Sequence, residues 1–484
     1  MKVKDYKIVG FSLGFLLTLL GASEIIPGLL ELSRGSAEAE NFFINAFFAL
    51  FFGISLVLAN KSYDRQVTIH QAFMLTTVSW AFLSIFAALP LYTSGLGLSY
   101  TDAFFEAMSG ITTTGSTILS GLDDMPHGIL LWRSMIQWIG GIGLVAFAII
   151  LLPALRVGGM QLFQMESSDT SEKFLPRSAT VMKHLLMIYV GLTILCALSY
   201  YLGGMSIFDA INHALTTIPT GGYSTHDASY GYFKSIPLQL CATLFMFLSG
   251  LPFILYIKLI YQGRFGFFKD EQVKLYSGIV AILTIIMACW IWNTQDLSAP
   301  WSFTYSIFSV VSIITTTGYA TIDYTAFGAF AIAFFFFLTY VGSCAGSTAG
   351  GIKIMRISIA SKAVGIQINK MLYPSGIFPL KYQGKAIDSD LLNTVFGFLG
   401  LYALSNVILA LCLAAMGLDF ETAISAAATA IANVGPGIGD TIGPAGNFSS
   451  LPSAAKWLLC LGMLIGRLEI LTVIVIFTPT YWRN

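Results

Sequence analysis

Apolar stretches of about 20 residues, each long enough to cross a bilayer, recur along the whole chain. They occupy 8–33, 40–60, 70–93, 130–155, 181–203, 236–261, 274–294, 327–362, 390–416 and 453–478. Their number and spacing predict an all-α integral membrane protein that crosses the bilayer ten times.

Four shorter, semi-apolar pieces lie between alternate spans, at 102–114, 209–221, 305–317 and 422–434. Pieces of this length are too short to cross and are typical of half-helices that enter the membrane and turn back. Each one ends in a related motif: ITTTG from Ile111, IPTGG from Ile218, ITTTG from Ile314 and IANVG from Ile431.

The four motifs belong to one repeated unit. Their last glycines are about 100 residues apart, and thirteen residues before them stand Asp102, Asp209, Tyr305 and Thr422, each followed by a small residue. We therefore predict two leading helices (1–66) and four helix–pore-loop–helix repeats with pseudo-fourfold symmetry around one central pore. The predicted repeats are 67–160, 175–265, 270–365, in which the second helix is broken, and 386–482.

Composition excludes several classes of function. Only 10% of residues are charged, mean hydropathy is +0.77, and 25 basic residues balance 25 acidic ones, so nucleic-acid binding is not expected. The cysteines and histidines show no metal-ligand spacing, and GxSxG, Walker and Rossmann motifs are absent, so we predict no enzyme. The signal-like opening MKVKDYKIVGFSLGFLLTLLGAS continues into a longer apolar run and is interpreted as a retained first span.

The basic residues predict the orientation in the bilayer. With the N-terminus inside, most of them lie on the cytoplasmic side, and the outer side holds only Arg34, Arg133, Lys234 and Lys456. The positive-inside rule then places both termini in the cytoplasm and all four short pieces on the outer side.

The chemistry of the short pieces favours a cation. Their predicted starts are Thr101–Asp102, Ser206 with Asp209, Ser302 after Pro300, and Asp419. A half-helix that runs inward points the negative end of its dipole toward the membrane centre. We expect the threonines and glycine that follow to be extended, so that their carbonyl oxygens replace the water around an ion.

These units resemble the superfamily of Trk, Ktr and HKT potassium transporters, and the two leading helices and the NVGPGIG fourth loop resemble its bacterial Trk-type membrane subunit. The resemblance implies a K⁺-selective pore in the bacterial inner membrane, with K⁺ as the transported ion and no covalent cofactor. It implies a homodimer, and a cytosolic nucleotide-binding regulatory ring of the TrkA type is expected on the basic loops around 156–183 and 356–390. The implied filter consists of Thr113, Thr114, Gly115, Thr220, Gly221, Gly222, Thr316, Thr317, Gly318, Asn433, Val434 and Gly435, with Thr112 and Thr315 just below.

The stretch YVGSCAGSTAGGIK interrupts the span that starts near Phe327. Its small residues would weaken a helix, or they could form a ridge for close helix packing. The resemblance favours an intramembrane loop that gates the pore. The implied gate consists of Gly342, Gly346, Ser347, Thr348, Gly350 and Gly351.

Arg467 lies near the middle of the last span, where an arginine requires a partner or a wet cavity. It could pair with Glu24 or Glu469, or bond the open carbonyls of another helix. The resemblance instead implies a fixed positive charge in the pore below the filter, as part of the gate.

Two other classes of function remain open on the residues alone. An H⁺- or Na⁺-coupled secondary transporter of potassium or sodium would use inverted repeats and intramembrane acids. Here the repeats run in one direction, and Glu106 and Asp209 lie in the short pieces, which favours a pore. A membrane scaffold explains the helices but not four matched loops.

Overall fold

The structure is a computed structural model that describes residues 6–61, 68–146, 174–263 and 266–483. The part of the predicted docking loop at 156–173 lies outside these residues. In chain order the helices are α1 (Lys7–Ser33), α2 (Glu38–Ala59), α3 (Ile69–Ala87), α4 (Leu89–Tyr92), α5 (Tyr100–Ile111), α6 (His127–Ala146), α7 (Phe174–Leu202), α8 (Ile207–Thr217), α9 (Ile236–Ser249), α10 (Phe253–Gln262), α11 (Glu271–Thr294), α12 (Ala299–Ile314), α13 (Ala329–Leu338), α14 (Ile354–Leu372), α15 (Ser389–Ala415), α16 (Phe420–Ala432), α17 (Gly439–Ile442), α18 (Ser453–Arg467), α19 (Ile470–Ile476) and α20 (Pro479–Arg483).

Between α14 and α15, the strands β1 (Lys381–Tyr382) and β2 (Lys385–Ala386) form a small antiparallel hairpin in which Lys381 pairs with Ala386. Short 3-10 turns lie at Leu122–Asp124, Ser229–Tyr232, Phe267–Lys269 and Tyr324–Phe327. Helices therefore make up nearly all the regular structure of the described residues.

The long helices have the length and surface of membrane spans. Among the described residues, seven helices are long and apolar enough to cross a bilayer, and two bent pairs raise the number to nine. The outer face of α2 presents Phe47, Phe51 and Leu58, which are 57–65% exposed. Large apolar side chains on an outer surface are compatible with lipid and not with water. The fold is that of an all-α integral membrane protein.

Two spans that the sequence predicts as continuous are broken, so that part of the prediction is wrong. Helices α9 and α10 meet at 89°, and α18 and α19 meet at 112°. The first break contains Pro252, which cannot continue a hydrogen-bonded helix. The second contains neither glycine nor proline; Glu469 adopts φ +64° there, and its carboxylate accepts a hydrogen bond from Arg356 Nη2 at 2.6 Å.

The starts of the short helices α5, α8, α12 and α16 are partly as predicted. Ser206 and Asp419 cap α8 and α16 by accepting hydrogen bonds from backbone N–H groups, as expected. The predicted starts of the other two are wrong by a few residues. Ser99 caps α5, and α12 begins after Ser298 because Pro300 is tolerated in a first helical turn.

Glycines on two spans allow them to pack directly on the ends of short helices. A Cβ on Gly140 of α6 would lie 2.0 Å from the carbonyl oxygen of Ile111, and one on Gly466 of α18 would lie 2.0 Å from that of Ile431. Ile111 and Ile431 occupy matching positions in the first and fourth motifs. The C-terminal ends of α5 and α16 are thus held by equivalent close contacts.

Candidate functional site: a ring of four loops

All four short helices end in the same hydrogen-bond pattern. After α5, the N–H of Thr113 donates to the carbonyl of Gly110 at 2.9 Å and the N–H of Thr114 donates to that of Ser109 at 2.8 Å. This pair of bonds is a Schellman motif, which ends a helix on a residue in the left-handed conformation. The same pair occurs at the other three ends, with Thr220 and Gly221, Thr316 and Thr317, and Asn433 and Val434 as donors.

The first residue of each loop is therefore left-handed, and the prediction of a wholly extended loop is wrong there. Thr113, Thr220 and Thr316 have φ of 50–56°, a conformation that costs a β-branched residue about 1–2 kcal/mol. Asn433, at φ +57°, tolerates this conformation better, which explains why the fourth loop departs from threonine. Such strain is often concentrated at functional sites.

The four loops form a closed ring. We use the name loop ring for four segments, which are loops 1 to 4 in chain order: Thr113–Gly115, Thr220–Gly222, Thr316–Gly318 and Asn433–Gly435. Each glycine packs against the carbonyl oxygen of the residue that precedes the glycine of the next loop. A Cβ added to the glycine would lie inside van der Waals contact of that oxygen. The distances are 2.2 Å from Gly115 to the oxygen of Gly221, 1.8 Å from Gly222 to that of Thr317, 2.0 Å from Gly318 to that of Val434, and 2.9 Å from Gly435 to that of Thr114. The contacts run from loop 1 through loops 2 and 3 to loop 4 and back to loop 1.

On the face that the sequence predicts to be the outer one, the loop ring borders a cavity of about 80 Å³. Gly115, Gly222, Gly318 and Gly435 all line this cavity, which we call the outer mouth. The sequence predicts that these four glycines lie together, and the structure brings them together.

Hydroxyl groups divide the loops into two kinds. The side-chain oxygens of Thr112 and Thr114 are 2.7 Å apart, and those of Thr315 and Thr317 are 2.8 Å apart. The matching positions are Pro219 and Gly221 in loop 2 and Ala432 and Val434 in loop 4, which carry no hydroxyl. Loops 1 and 3 are opposite each other in the ring, so the hydroxyl pairs are arranged with twofold rather than fourfold symmetry.

Side chains support the loop ring, and one of them, Gln137, was not identified from the sequence. Gln137 of α6 donates its Nε2 to the carbonyl of Gly221 at 2.7 Å and accepts from the N–H of Tyr223 at 3.1 Å. Asn433 Nδ2 donates to Thr114 Oγ1 at 2.9 Å and so joins loop 4 to loop 1. A polar Gln137 within a membrane span is the signal that could have indicated such a support.

His226 and Asp227 line the outer mouth, and two further carboxylates lie beside His226. His226 Nδ1 lies 2.5 Å from Asp123, its Nε2 lies 3.4 Å from Asp209, and its ring stacks on Tyr232 at 3.5 Å. Partial burial opposes the charged form of His226, but the nearby carboxylates of Asp209 and Asp123 outweigh burial and raise the pKa of His226 above its ordinary value. Asp227 accepts hydrogen bonds from the N–H groups of Gly121 and Leu122.

Residues 341–353 between α13 and α14 form a non-helical stretch that we call the glycine-rich segment. A ridge for helix packing requires a helix, so that alternative is excluded. The N–H of Gly350 donates to Thr316 Oγ1 at 2.7 Å, and the N–H of Gly351 donates to the carbonyl of Ala432 at 3.0 Å. Thr348 Oγ1 donates to the carbonyl of Ile218 at 3.1 Å. The segment therefore contacts loop 3 and the residues that lead into loops 2 and 4.

The remaining predicted gate residues hold the segment in shape. The N–H of Gly342 donates to the carbonyl of Ile352, and the carbonyl of Gly346 accepts from the N–H of Phe253, both at 2.9 Å. Ser347 Oγ donates to the carbonyl of Cys344 at 2.7 Å. These bonds tie the segment to itself and to the start of α10.

Arg467, the last residue of α18, contacts the glycine-rich segment. Its side chain is 3% exposed, and Nη2 donates to the carbonyl of Thr348 at 2.9 Å. Among the described residues its Nε and Nη1 have no hydrogen-bond partner, and Arg467 lines a cavity of about 30 Å³, which is large enough for one water molecule. Pairing with Glu24 or Glu469 is not observed: Glu469 binds Arg356, and the buried carboxylate of Glu24 makes no hydrogen bond within the part of the chain that the structure describes.

Comparison with known proteins identifies the family. Residues 38–483 match the TrkH family, described as cation transport proteins. The Trk system potassium uptake protein TrkI of Halomonas elongata is 48% identical over 448 residues, which cover 90% of this chain and 91% of that protein. The Trk system potassium uptake protein TrkH of Escherichia coli is 37% identical over 478 residues, with 97% and 98% covered. The fold matches the crystal structure of the potassium transporter TrkH from Vibrio parahaemolyticus with a TM-score of 0.91, at 33% identity and with both chains covered completely. The resemblance drawn from the motifs is thus confirmed, and the chain belongs to the TrkH family of cation transport proteins.

Proposed function

We propose that this chain mediates potassium uptake through a gated, channel-like pore, and that the loop ring is its selectivity filter. The observation that carries the proposal is the closed ring in which each glycine packs on a carbonyl of the next loop and all four glycines line the outer mouth. Removal of water from an ion in a low-dielectric medium costs tens of kcal/mol. A ring of backbone carbonyls is the means by which a protein can replace that water.

The short helices add to the stabilisation of a cation. All four end at the ring, so the negative ends of their dipoles point toward it. We infer that the backbone oxygens of the ring bind K⁺, with the hydroxyl groups of Thr112 and Thr315 near its inner side. The relatives named as potassium uptake proteins support K⁺ as the cargo.

The gate in this proposal is the glycine-rich segment together with Arg467. The segment bonds directly to loop 3, and Arg467 holds its Thr348 carbonyl. A segment with no internal helix can change its conformation without breaking a helical hydrogen-bond ladder. A guanidinium beneath a cation filter repels the ion, so the closed segment and the charge both oppose permeation.

We propose the bacterial inner membrane as the location, with both termini cytoplasmic, so that the membrane potential drives K⁺ inward at about 2.3 kcal/mol per 100 mV. The unit boundaries at 1–66, 67–160, 175–265, 270–365 and 386–482 belong to the same proposal. The protein would form a homodimer, and a TrkA-type nucleotide-binding ring would dock on its cytoplasmic side. The region 356–390 suits such docking because Lys370, Lys381 and Lys385 are exposed beside Ile377, which is 93% exposed.

Ion flux into proteoliposomes containing the purified chain tests this function. We expect K⁺ and Rb⁺ to pass and Na⁺ and Li⁺ to pass more slowly, because a ring of fixed carbonyls fits the larger ions better. The flux should follow the K⁺ gradient without saturation and without a pH or Na⁺ gradient. Saturating uptake that requires such a gradient would instead indicate an ion-coupled transporter, and absence of K⁺ flux would contradict the proposal.

Substitution Gly115→Ser should weaken the discrimination of K⁺ from Na⁺. The serine Cβ would lie 2.2 Å from the carbonyl oxygen of Gly221, so the carbonyl must move away. We expect the K⁺/Na⁺ flux ratio to fall by roughly tenfold, the effect of losing one hydrogen-bond-sized interaction. Gly97→Ser is the matched control, since Gly97 also has positive φ (+68°) but open space around it. An unchanged ratio in Gly115→Ser would remove Gly115 from the filter.

A further inference from the structure

A buried ion pair lies directly behind the outer ends of loops 1 and 2. Arg133 of α6 and Glu106 of α5 are 1% and 0% exposed, and Arg133 Nε donates to Glu106 Oε1 at 2.8 Å. Burial of two charges is costly unless their remaining polar atoms are also bonded. The other bonds of this pair therefore show what the burial achieves.

The other hydrogen bonds of Arg133 go to residues that follow Gly115 and Gly222. Arg133 Nη1 donates to the carbonyl of Ser224 at 3.1 Å, two residues after Gly222. Arg133 Nη2 donates to Thr117 Oγ1 at 3.2 Å, two residues after Gly115. The rigid, planar fork of one guanidinium thus holds both loops at once.

Glu106 completes the clamp from the other side. Its Oε2 accepts the N–H of Ile118 at 2.9 Å, and the hydroxyl of Thr117 donates to the same carboxylate at 3.0–3.1 Å. Tyr223 follows Gly222, lies beneath the Arg133 guanidinium at 4.2 Å, and donates its hydroxyl to the backbone carbonyl of Glu106 at 2.8 Å. Every polar group of the pair is directed to the outer end of a ring loop or to its partner.

The pair breaks the fourfold repeat. Nine residues before the ring glycines stand Glu106, His213, Ser309 and Ala426, so only the first unit has a carboxylate at this position. Arg133 also lines the outer mouth, where an uncompensated positive charge would repel an entering cation. Glu106 neutralises that charge while the guanidinium keeps its hydrogen bonds.

We propose that Arg133 and Glu106 are a positioning pair that fixes the relative placement of loops 1 and 2 and thereby determines ion selectivity on one side of the ring. This inference rests on the proposed filter function of the ring. It assigns to the pair an effect on selectivity that a merely structural ion pair would not have.

A second ion pair that involves α5 provides a matched control for the loss of an ion pair. Lys456 of α18 bonds Asp102 of α5 at 2.6 Å and is 5% exposed, and its other bond goes to the carbonyl of Ser449. This second ion pair also anchors α5, but its bonds go to the start of that helix and to Ser449, and not to the ring. Loss of either pair should lower the melting temperature, whereas only loss of the first should change selectivity.

The test compares Arg133→Gln, Glu106→Gln and Lys456→Gln with the unaltered chain in proteoliposomes, with K⁺ and Na⁺ flux measured in each preparation. We expect the K⁺/Na⁺ flux ratio to fall by roughly tenfold in the first two and to stay unchanged in Lys456→Gln. Glu106→Gln should also reduce the K⁺ flux at low external K⁺ more than Arg133→Gln does, because it leaves Arg133 uncompensated at the outer mouth.

Thr117→Val provides a milder variant if the charge substitutions prevent folding. It removes only the hydroxyl that both charged groups share, and we expect a smaller decrease of the same flux ratio. If folded Arg133→Gln or Thr117→Val keeps the unaltered ratio while the melting temperature falls, the pair is structural and the inference is overturned. Absence of K⁺ flux in the unaltered chain would instead contradict the filter function itself.

Discussion

Substitution of Gly222 by alanine is expected to abolish potassium flux. The added Cβ would lie 1.8 Å from the carbonyl oxygen of Thr317, far inside van der Waals contact, and both atoms belong to backbone at the closest contact of the ring. Gly222 also has φ +77°, which costs an alanine about 1–2 kcal/mol. Loops 2 and 3 must separate to accept the methyl group. Since 1.4 kcal/mol corresponds to a factor of ten, we expect a decrease in K⁺ flux of roughly a hundredfold or more.

Gly417→Ala separates conformational strain from the clash. Gly417 has φ +92°, but a Cβ there would meet nothing within 4 Å, so only the strain remains. We expect that variant to lose some thermal stability and to keep its flux. Flux that falls equally in both variants would show that strain alone, and not displacement of the carbonyl, accounts for the loss.

Alanine substitutions of the four ring glycines should also reduce K⁺ flux to different extents. The clash distances increase from Gly222 through Gly318 and Gly115 to Gly435, from 1.8 to 2.9 Å. We therefore expect K⁺ flux in the four alanine variants to rise in that order, with Gly435→Ala the most active. Equal losses at all four positions would contradict the observed geometry of the ring.

The sequence predicted the fold well where burial in lipid dominates. A helix in a bilayer must satisfy its own backbone groups and present apolar side chains, so hydropathy alone locates α1, α2, α11 and α15 within a few residues. The break at Glu469 could not be predicted in this way. It depends on the ion pair with Arg356, which comes from a helix more than a hundred residues earlier in the chain.

The candidate site was predicted at the level of residues but not of backbone conformation. Four glycines in register indicated a shared ring because glycine is required where backbones come close together. The left-handed threonines were missed, since Thr113 and its counterparts violate the ordinary preference of a β-branched residue. The sequence placed Arg133 on the outer side and Glu106 in a short helix, but it did not predict that they form an ion pair. Their contact joins two helices that no local sequence pattern relates.

The success of the fold prediction and the gaps in the site prediction have one physical origin. The fold follows from the lipid solvent, which acts on every residue independently and therefore leaves a periodic signal in the sequence. The site follows from contacts between loops about 100 residues apart, where the residue types are visible but the pairing is not. Local rules fail at the ring because surrounding contacts, such as that of Gln137 with Gly221, over-determine its conformation.

Substitution Arg467→Ala is expected to increase potassium flux. Arg467 is buried at the glycine-rich segment, two of its nitrogens are without hydrogen-bond partners among the described residues, and in our proposal its positive charge lies below the cation filter. Unit charges about 4 Å apart interact with about 4 kcal/mol near a protein surface, so even a fraction of this repulsion is a large barrier. Loss of the charge also releases the Thr348 carbonyl from its 2.9 Å bond. We expect K⁺ flux into proteoliposomes to rise by roughly tenfold or more.

Two further variants distinguish the charge from the tether. Arg467→Lys keeps the charge but replaces the planar fork by a point charge, whereas Arg467→Gln removes the charge and keeps an amide that can donate to Thr348. If the charge is the barrier, the Gln variant should have the same K⁺ flux as the Ala variant, and the Lys variant should have a flux near that of the unaltered chain. If the tether is the barrier, the Gln variant should stay near the unaltered chain and only the Ala variant should be more active, because glutamine keeps a donor for the Thr348 carbonyl. A decrease in flux for Arg467→Ala, or a chain that no longer folds, would assign Arg467 a structural role, in which its contact with Thr348 supports the segment and does not oppose permeation.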